Sequence, residues 1–152
     1  MVKILQSHHT LTNTAKTIIS DFFELTKSRL AFSVVFSALA GYLIAVDEID
    51  TNIVFLLVTG GYCMVGSSNI YNQIIEKDSD AVMNRTQNRP IPAGRISINS
   101  AFCIAVLLTI IGLIALYRIN GYTALFGSIS IFIYACIYTP LKIKTPLSVF
   151  VG

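Results

Sequence analysis

The stretch "IVFLLVTGGYCMVGSSNIYNQIIEKDSD", from Ile53 to Asp80, decides the fold. Its first nineteen residues, Ile53–Tyr71, include no Asp, Glu, Lys or Arg, and formal charge begins only at Glu76. A helix needs about twenty such residues to cross a bilayer, with a range of about 17 to 25. Because backbone groups find no water in hydrocarbon, a helix, which satisfies them internally, is the favoured element. The stretch therefore predicts a transmembrane helix that leads directly into a charged segment.

Three further uncharged runs predict more spans: Leu30–Val46, Ile98–Tyr117 and Tyr122–Thr139. They do not alternate between polar and apolar residues as the strands of a membrane barrel do. The whole chain is 54% hydrophobic and 12% charged, whereas a soluble domain carries about a quarter charged residues. We therefore predict an all-α, multi-span transmembrane helical bundle with about four complete spans. The final "TPLSVFVG", 145–152, is expected to start a fifth.

The basic residues predict which side of the membrane each connection faces. If the runs alternate in direction, ten of the eleven lysines and arginines fall on one side, with Arg118 as the exception. Lys and Arg are enriched in cytoplasmic connections, so the N-terminus and residues 72–97 are expected to be cytoplasmic. We divide the chain into a cytoplasmic segment, 1–29, with an interfacial helix over 14–28, and a transmembrane domain, 30–152.

A polar stripe follows the second predicted span. Asn72, Glu76 and Asp80 are each four residues apart, which aligns them on one helical face. Mg²⁺ typically takes one or two carboxylates and completes its shell with water and substrate phosphate. Arg85 and Arg89 come next, and the planar guanidinium group suits phosphate oxygens. This pattern favours a metal-diphosphate site. A solvated cytoplasmic loop is the alternative, and it explains the arginines but not the stripe.

The whole polar segment resembles a known family motif. "NQIIEKDSDAVMNRTQNRPIPAGRIS", 72–97, resembles the first polar motif of the UbiA-type intramembrane prenyltransferases, N-x-x-x-D-x-x-x-D. Glu76 in the middle position resembles the haem O synthase (protohaem IX farnesyltransferase) branch. "FFELTKSRL", 22–30, and "YTPLKIKTPL", 138–147, resemble two shorter motifs of that branch, although Ser28 stands where proline is usual. The resemblance covers roughly residues 21–152.

The resemblance implies a helical bundle with a central cavity that transfers a farnesyl group from farnesyl diphosphate to a vinyl group of haem B, giving haem O. It implies a catalytic, Mg²⁺-holding set and a diphosphate-binding set: Asn72, Glu76 and Asp80 for the first, and Arg85, Arg89, Tyr138 and Lys142 for the second. It also implies the inner (plasma) membrane as location. The implied partners are the lipid bilayer, the two substrates, and haem A synthase or terminal oxidase assembly factors, with no nucleic acid.

Three alternatives remain open. A UbiA-type enzyme could prenylate a quinone-precursor ring instead of haem B. The chain could also be an inactive truncated fragment, because the family has about nine spans and a second acidic motif, whereas no acid follows Asp80 here. A transporter or channel subunit would carry polar groups near the bilayer midplane, but the four runs include no charged residue. We expect the N-terminal half of a longer prenyltransferase bundle.

Overall fold

The computed structural model describes residues 18–144, and every regular element within them is a helix. The expected start of a fifth span and the first part of the expected interfacial helix, 14–17, lie outside this range. Residues 18–25 are helical. The later helices are α1 (Ser28–Ala45), α2 (Thr51–Ile75), α3 (Lys77–Val82), α4 (Ile98–Ile119) and α5 (Gly121–Phe132), then a π-helical turn (Ile133–Tyr138) and α6 (Thr139–Lys144).

Four helices are long and apolar enough to cross a membrane: α1, α2, α4 and the continuous run Gly121–Lys142. The predicted all-α bundle with four spans is confirmed. The second span, however, continues four residues beyond the predicted Tyr71 to Ile75. Since these residues carry no formal charge, nothing in them opposes the helix, and Asn72 consequently lies inside α2.

Polar side chains fix where the spans begin. The carboxylate of Asp50 accepts a hydrogen bond from the backbone N–H of Asn52 at 2.8 Å, before α2. Ser97 accepts from the N–H of Ser100 at 3.1 Å, before α4. The first N–H groups of a helix have no partner within it, so these caps satisfy donors that the bilayer could not. Each cap falls in a polar connection between apolar runs.

Helices α2 and α4 pack closely through small residues. A Cβ atom added to Gly112 would lie 2.8 Å from the Met64 side chain and 3.2 Å from the carbonyl oxygen of Gly60. Small residues allow backbones to approach in this way when lipid supplies no hydrophobic drive for helix association. This contact holds α2, which carries the polar stripe, against the third span.

The N-terminal helical segment, 18–25, is fixed against the end of α2. The side-chain amides of Gln73 and Asn69 donate to the carbonyl oxygens of Leu25 and Thr26, at 2.7 and 3.0 Å. These bonds supply donors to carbonyl oxygens that have no N–H partner at the end of a helix. Lys27 then adopts a left-handed conformation, with φ of 49°, and turns the chain into α1.

The polar connection after α3 folds back onto the same segment. The Arg95 guanidinium donates to Asp21 at 2.8 Å, to Glu24 at 2.7 Å and to the carbonyl oxygen of Asn88 at 2.8 Å. Gly94 has φ of 73°, a conformation that glycine adopts without steric cost. The connection and the N-terminal segment therefore close one end of the bundle together.

Candidate functional site

A polar cavity of about 470 Å³ lies at this closed end of the bundle. All seven residues that the sequence predicted for the site line it: Asn72, Glu76, Asp80, Arg85, Arg89, Tyr138 and Lys142. They come from α2, α3, the connection after α3 and the end of the fourth span. The fold thus brings together residues up to seventy positions apart.

The stripe persists across a break in the helix. α2 ends at Ile75, and Glu76 has φ of −87° and ψ of 4° before α3 begins. The helix that carries the stripe is therefore interrupted at this residue. Hydrogen bonds of helical spacing nevertheless run from the N–H of Glu76 to the carbonyl oxygen of Asn72, at 2.9 Å, and from Asp80 to Glu76, at 2.8 Å. Because these bonds preserve the four-residue relation, the three side chains still face one cavity.

Asn72 is held from two sides at the base of the cavity. Its amide nitrogen donates to a carboxylate oxygen of Glu76 at 3.0 Å, and its amide oxygen accepts from the Thr139 hydroxyl at 3.1 Å. Asn72 and Thr139 are 2% and 0% exposed. A buried amide needs such partners, because an unpaired polar group there costs about 1–3 kcal/mol. The second and fourth spans are joined at this point.

Each carboxylate of the stripe faces a basic residue. The Glu76 carboxylate lies 3.1 Å from the Lys142 ammonium group. The Asp80 carboxylate accepts a hydrogen bond from the Arg89 guanidinium. The two carboxylate side chains are only 9% and 5% exposed, so their charge requires a partner. Thr86 donates to the backbone oxygen of Asp80 at 3.0 Å and holds the connection in place.

Lys27 is a site residue that the sequence reasoning did not identify. It lines the cavity from the left-handed turn before α1. Burial lowers the pKa of Lys27, and the nearby Arg89 guanidinium lowers it further. Non-glycine residues in this conformation are uncommon and are often found at functional sites. The available signal was a lysine at the start of the first span, within "FFELTKSRL".

The cavity carries more positive than negative charge. Its walls include four basic residues and two acidic ones: Lys27, Arg85, Arg89 and Lys142 against Glu76 and Asp80. Focused positive charge attracts anions. A polyanion bound to a divalent cation could therefore contact both sets of residues. The basic residues would bind the polyanion, and the two carboxylates would bind the divalent cation.

The π-helical turn shapes the wall opposite the stripe. Tyr134 and Tyr138 stack there with ring centres 5.3 Å apart and an angle of 22° between the rings. The N–H of Thr139 donates to the carbonyl oxygen of Tyr134, five residues back. Pro140 follows, and proline can neither donate to the residue four positions back nor fit against its carbonyl group. Wider turns of this kind are frequent at functional sites.

Two clefts adjoin the polar cavity. An apolar cleft of about 400 Å³ shares Tyr134 with it and is lined by Leu30, Val34 and Met64, among others. An open cleft of about 750 Å³ shares three cations with the polar cavity: Lys27, Arg85 and Arg89. Its other walls include Arg29, Phe23 and Phe32. The polar cavity is therefore continuous with an apolar surface on one side and with a basic, aromatic surface on the other.

The family model of the UbiA prenyltransferases matches residues 34–152. The chain belongs to the UbiA prenyltransferase family. The matched region includes the polar stripe, the arginines after it and the π-helical turn, but not Lys27. The resemblance of the polar motif is thus confirmed at the level of the family.

Similar proteins from bacteria carry one name. The chain is 62% identical over 140 residues to a protoheme IX farnesyltransferase of Flavobacterium psychrophilum, covering 90% of this chain and 47% of that protein. It is also 62% identical over 140 residues to a protein of the same name from Christiangramia forsetii, covering 92% and 47%. For Cytophaga hutchinsonii the identity is 42% over 133 residues, covering 86% and 46%. The chain spans about half the length of the curated relatives it matches.

A solved structure supports the fold. A structure of digeranylgeranylglyceryl phosphate synthase in membranes superimposes with a TM-score of 0.80, covering 88% of this chain and 47% of that one, at 24% identity. At this identity the likeness bears on the fold alone. The four-span bundle therefore corresponds to about half of a UbiA-type bundle.

Proposed function

We propose that the chain forms the donor-binding part of a protohaem IX farnesyltransferase, which transfers a farnesyl group from farnesyl diphosphate to the vinyl group of haem B and gives haem O. The observation that carries the proposal is the polar cavity, where a buried carboxylate stripe faces a cluster of cations. The names of the most similar relatives support the farnesyl donor and the haem acceptor.

The stripe fits Mg²⁺ through a particular set of donors. Among residues 18–144, no group of three His, Cys, Asp or Glu side chains is arranged to hold a metal. Glu76, Asp80 and Asn72 line one cavity, which is the small carboxylate set that Mg²⁺ uses when substrate phosphate completes its shell. When bound, Mg²⁺ would neutralise charge on the diphosphate leaving group. These three residues would hold it.

The basic residues would hold the other diphosphate oxygens. Lys142 and Arg89 pair with the two carboxylates in the absence of ligand. A divalent cation would replace them at the carboxylates and release both side chains for phosphate contacts. Arg85 and Lys27 line the same cavity, and the Tyr138 hydroxyl would donate from the opposite wall. Preorganised donors aimed at a leaving group lower the barrier to its departure.

The apolar cleft suits the farnesyl chain. It meets the polar cavity at Tyr134, so an allylic C1 atom would lie where the two spaces join. As the C1–O bond breaks, the electron pair leaves with the diphosphate, and the vinyl π electrons of the acceptor form the new C–C bond. The cation left on the vinyl carbon beside the porphyrin ring then takes up water and loses a proton, which gives the hydroxyl group of haem O. An apolar surround limits capture of the allylic cation by water. No nucleophilic side chain is needed for this step.

The basic, aromatic cleft favours an anionic aromatic acceptor. Arg29 adds a cation to those shared with the polar cavity, and Phe23 and Phe32 supply ring surfaces. Haem B is a flat macrocycle that carries two propionate groups and so combines both features. A quinone-precursor ring is the other acceptor class, but the relatives at 55–62% identity all carry the haem-specific name.

The proposal includes a place in the membrane. The excess of basic residues in these connections favours a cytoplasmic position, at the inner membrane, for the N-terminal segment, 1–29, and for residues 72–97. The transmembrane domain then spans 30–152, with the polar cavity at its cytoplasmic edge. Haem A synthase and terminal oxidase assembly factors are the proposed protein partners, because they would receive the product.

The test is a chimaera with the Flavobacterium psychrophilum relative, in which this chain replaces the aligned 140 residues. With Mg²⁺, farnesyl diphosphate and haem B, mass spectrometry should detect haem O. Glu76→Gln should lower the reaction rate at least about 100-fold, because the loss of a metal ligand or of its hydrogen-bonding partner has an effect of this order. Asp78→Asn is the matched control, because its side chain is 92% exposed and lies outside the stripe. A chimaera that prenylates only a quinone precursor, or nothing, contradicts the proposal.

A further inference from the structure

Thr139 contacts Asn72 of the polar stripe but is not itself part of the stripe. Its side chain is fully buried, and its hydroxyl lies 3.1 Å from the amide oxygen of Asn72 and 2.8 Å from the carbonyl oxygen of Tyr134. A hydroxyl group has a single proton, so it donates to one of these oxygens at a time, while its own oxygen can also accept. The Tyr134 carbonyl already accepts the backbone N–H of Thr139. That carbonyl keeps this bond when the hydroxyl proton points to Asn72, and its second lone pair can accept the proton when it does not.

Asn72 has two ends with opposite hydrogen-bonding properties. In the ligand-free arrangement, its amide nitrogen donates to Glu76, and its amide oxygen accepts from Thr139. A cation beside Glu76 would repel the amide N–H groups and attract the amide oxygen. Metal binding therefore favours the amide turned by half a rotation, with its nitrogen directed at Thr139.

Thr139 can satisfy both orientations. When the amide nitrogen faces it, the hydroxyl oxygen accepts, and the hydroxyl proton turns to the Tyr134 carbonyl, which is already within hydrogen-bond distance at 2.8 Å. Neither orientation leaves a buried polar group of this set unpaired. Thr139→Val would leave the Asn72 amide without this partner in both orientations. The folded chain would then be less stable, because an unpaired buried polar group is costly.

We infer that Thr139 is a positioning residue for the metal site: its hydroxyl, alternately donor and acceptor, lets the buried Asn72 amide present its oxygen to a divalent cation. The inference rests on the proposed function, because it assumes that the stripe holds a cation. It assigns a role to the π-helical turn, which carries Thr139 at its end and sets the position of the Tyr134 carbonyl.

The experiment measures the affinity of the purified chain for Mn²⁺ in the presence of an unreactive farnesyl thiodiphosphate, by electron paramagnetic resonance of the free ion. Thr139→Val should weaken Mn²⁺ binding by about 10–100-fold, the usual effect of removing a partner of a metal ligand. Thr139→Ser retains the hydroxyl and should bind as wild type does. Thr109→Val is the matched control, because the Thr109 hydroxyl lies outside the polar cavity, where it donates to the Ala105 carbonyl at 2.9 Å and lies 3.4 Å from the Tyr71 hydroxyl.

The same substitution in an Asn72→Asp chain distinguishes a positioning role of Thr139 from a general loss of structure. Asp in place of Asn72 offers two equivalent oxygens and needs no turning, so Thr139→Val should cost much less affinity in an Asn72→Asp chain than in the wild type. If Thr139→Val does not fold, Thr139→Ala takes its place in the same cycle.

The outcomes separate the two proposals. Wild-type chain that binds no Mn²⁺ with the diphosphate contradicts the proposed function and the inference together. Wild-type binding that Thr139→Val leaves unchanged, or an equal loss in both backgrounds, overturns the inference alone.

Discussion

At the scale of single residues, the ligand-free site is held by two pairs of opposite charge. Glu76 pairs with Lys142, and Asp80 pairs with Arg89, with both carboxylate side chains almost fully buried. Removing the partner of a buried carboxylate destabilises the folded chain by more than the intact pair stabilises it. The same groups therefore keep the empty cavity folded, and under the proposed function they would become available for ligand when a cation binds the carboxylates.

The Asp80–Arg89 pair leads to a stability prediction. Arg89→Met leaves a buried carboxylate unpaired and should lower the free energy of unfolding by about 3 kcal/mol. The double variant Asp80→Asn/Arg89→Met should recover much of this loss, giving a coupling of about 1–3 kcal/mol in unfolding by denaturant. The control is the Lys77–Asp78 pair, 3.9 Å apart with side chains 41% and 92% exposed, where coupling should be near zero. Equal coupling in both pairs would contradict the structural role of the buried pair.

Lys27 gives a prediction in which stability and binding move in opposite directions. Its cationic form is disfavoured by burial and by Arg89, so Lys27→Met should raise the thermal unfolding temperature of the ligand-free chain. It should also weaken diphosphate binding about tenfold or more, because a charge-assisted hydrogen bond contributes about 1.5–3 kcal/mol. Lys77→Met is the control and should do neither. A Lys27→Met chain that is less stable yet binds diphosphate normally would refute this role.

The contribution of Lys27 to the stability of the folded chain depends on pH in a defined direction. The pKa of Lys27 is lowered in the folded chain from the ordinary 10.5. Between the lowered pKa and 10.5, the unfolded chain binds more protons than the folded chain, so stability rises with pH across this window. Lys27→Met should lack that rise in thermal unfolding measured against pH, and Lys77→Met should retain it.

The sequence predicted the residues whose chemistry is encoded in local spacing. Asn72, Glu76 and Asp80 were found because four-residue spacing aligns side chains on a helix. Lys27 and Thr139 were missed because their roles depend on contacts with residues more than forty positions away. No periodicity in the sequence indicates that a hydroxyl in the fourth span will meet an amide in the second.

At the scale of elements, the π-helical turn controls the direction of the fourth span where it meets the site. The turn inserts one residue relative to an α-helix, which rotates the remainder of the span by about 100°. Tyr138 and Lys142 line the cavity with this rotation in place. Pro140 prevents the tighter turn, because it has no N–H group to donate.

Pro140→Ala should therefore reduce function without unfolding the helix. Alanine restores the N–H group and removes the ring clash, so the turn can tighten to an α-helix and move Lys142 away from Glu76. Circular dichroism should report equal or greater helix content, while affinity for the diphosphate analogue falls about tenfold, as expected for the loss of one charged contact. Pro92→Ala, in the connection after α3, is the control. Unchanged affinity in Pro140→Ala would mean that the turn does not position these residues.

Span positions were predictable for a physical reason, and irregularities within them were not. The absence of charge over about twenty residues is a strong signal, because each charge in hydrocarbon is costly. The break at Glu76 and the π-helical turn arise where polar groups and a proline meet tertiary contacts. These two departures are the elements that shape the cavity.

At the scale of the whole molecule, the asymmetry of basic residues predicts the orientation. In a chain without native cysteines, Asn88→Cys should react with a membrane-impermeant thiol reagent only from the cytoplasmic side, because it lies in the Arg-rich connection. Asp47→Cys, in the acidic connection between α1 and α2, should react only from the opposite side. The reverse labelling pattern would contradict the orientation and place the cavity at the outer surface.

The proposed function depends on one property of the molecule: that the buried stripe binds a diphosphate through Mg²⁺. The most direct measurement is isothermal titration of the purified chain with farnesyl thiodiphosphate, with and without Mg²⁺, for the wild type, Glu76→Gln and Asp78→Asn. We expect Mg²⁺-dependent binding in the wild type and Asp78→Asn, weakened about 100-fold in Glu76→Gln. Binding that needs no Mg²⁺, or that Glu76→Gln and Asp78→Asn affect equally, would contradict this role of the stripe.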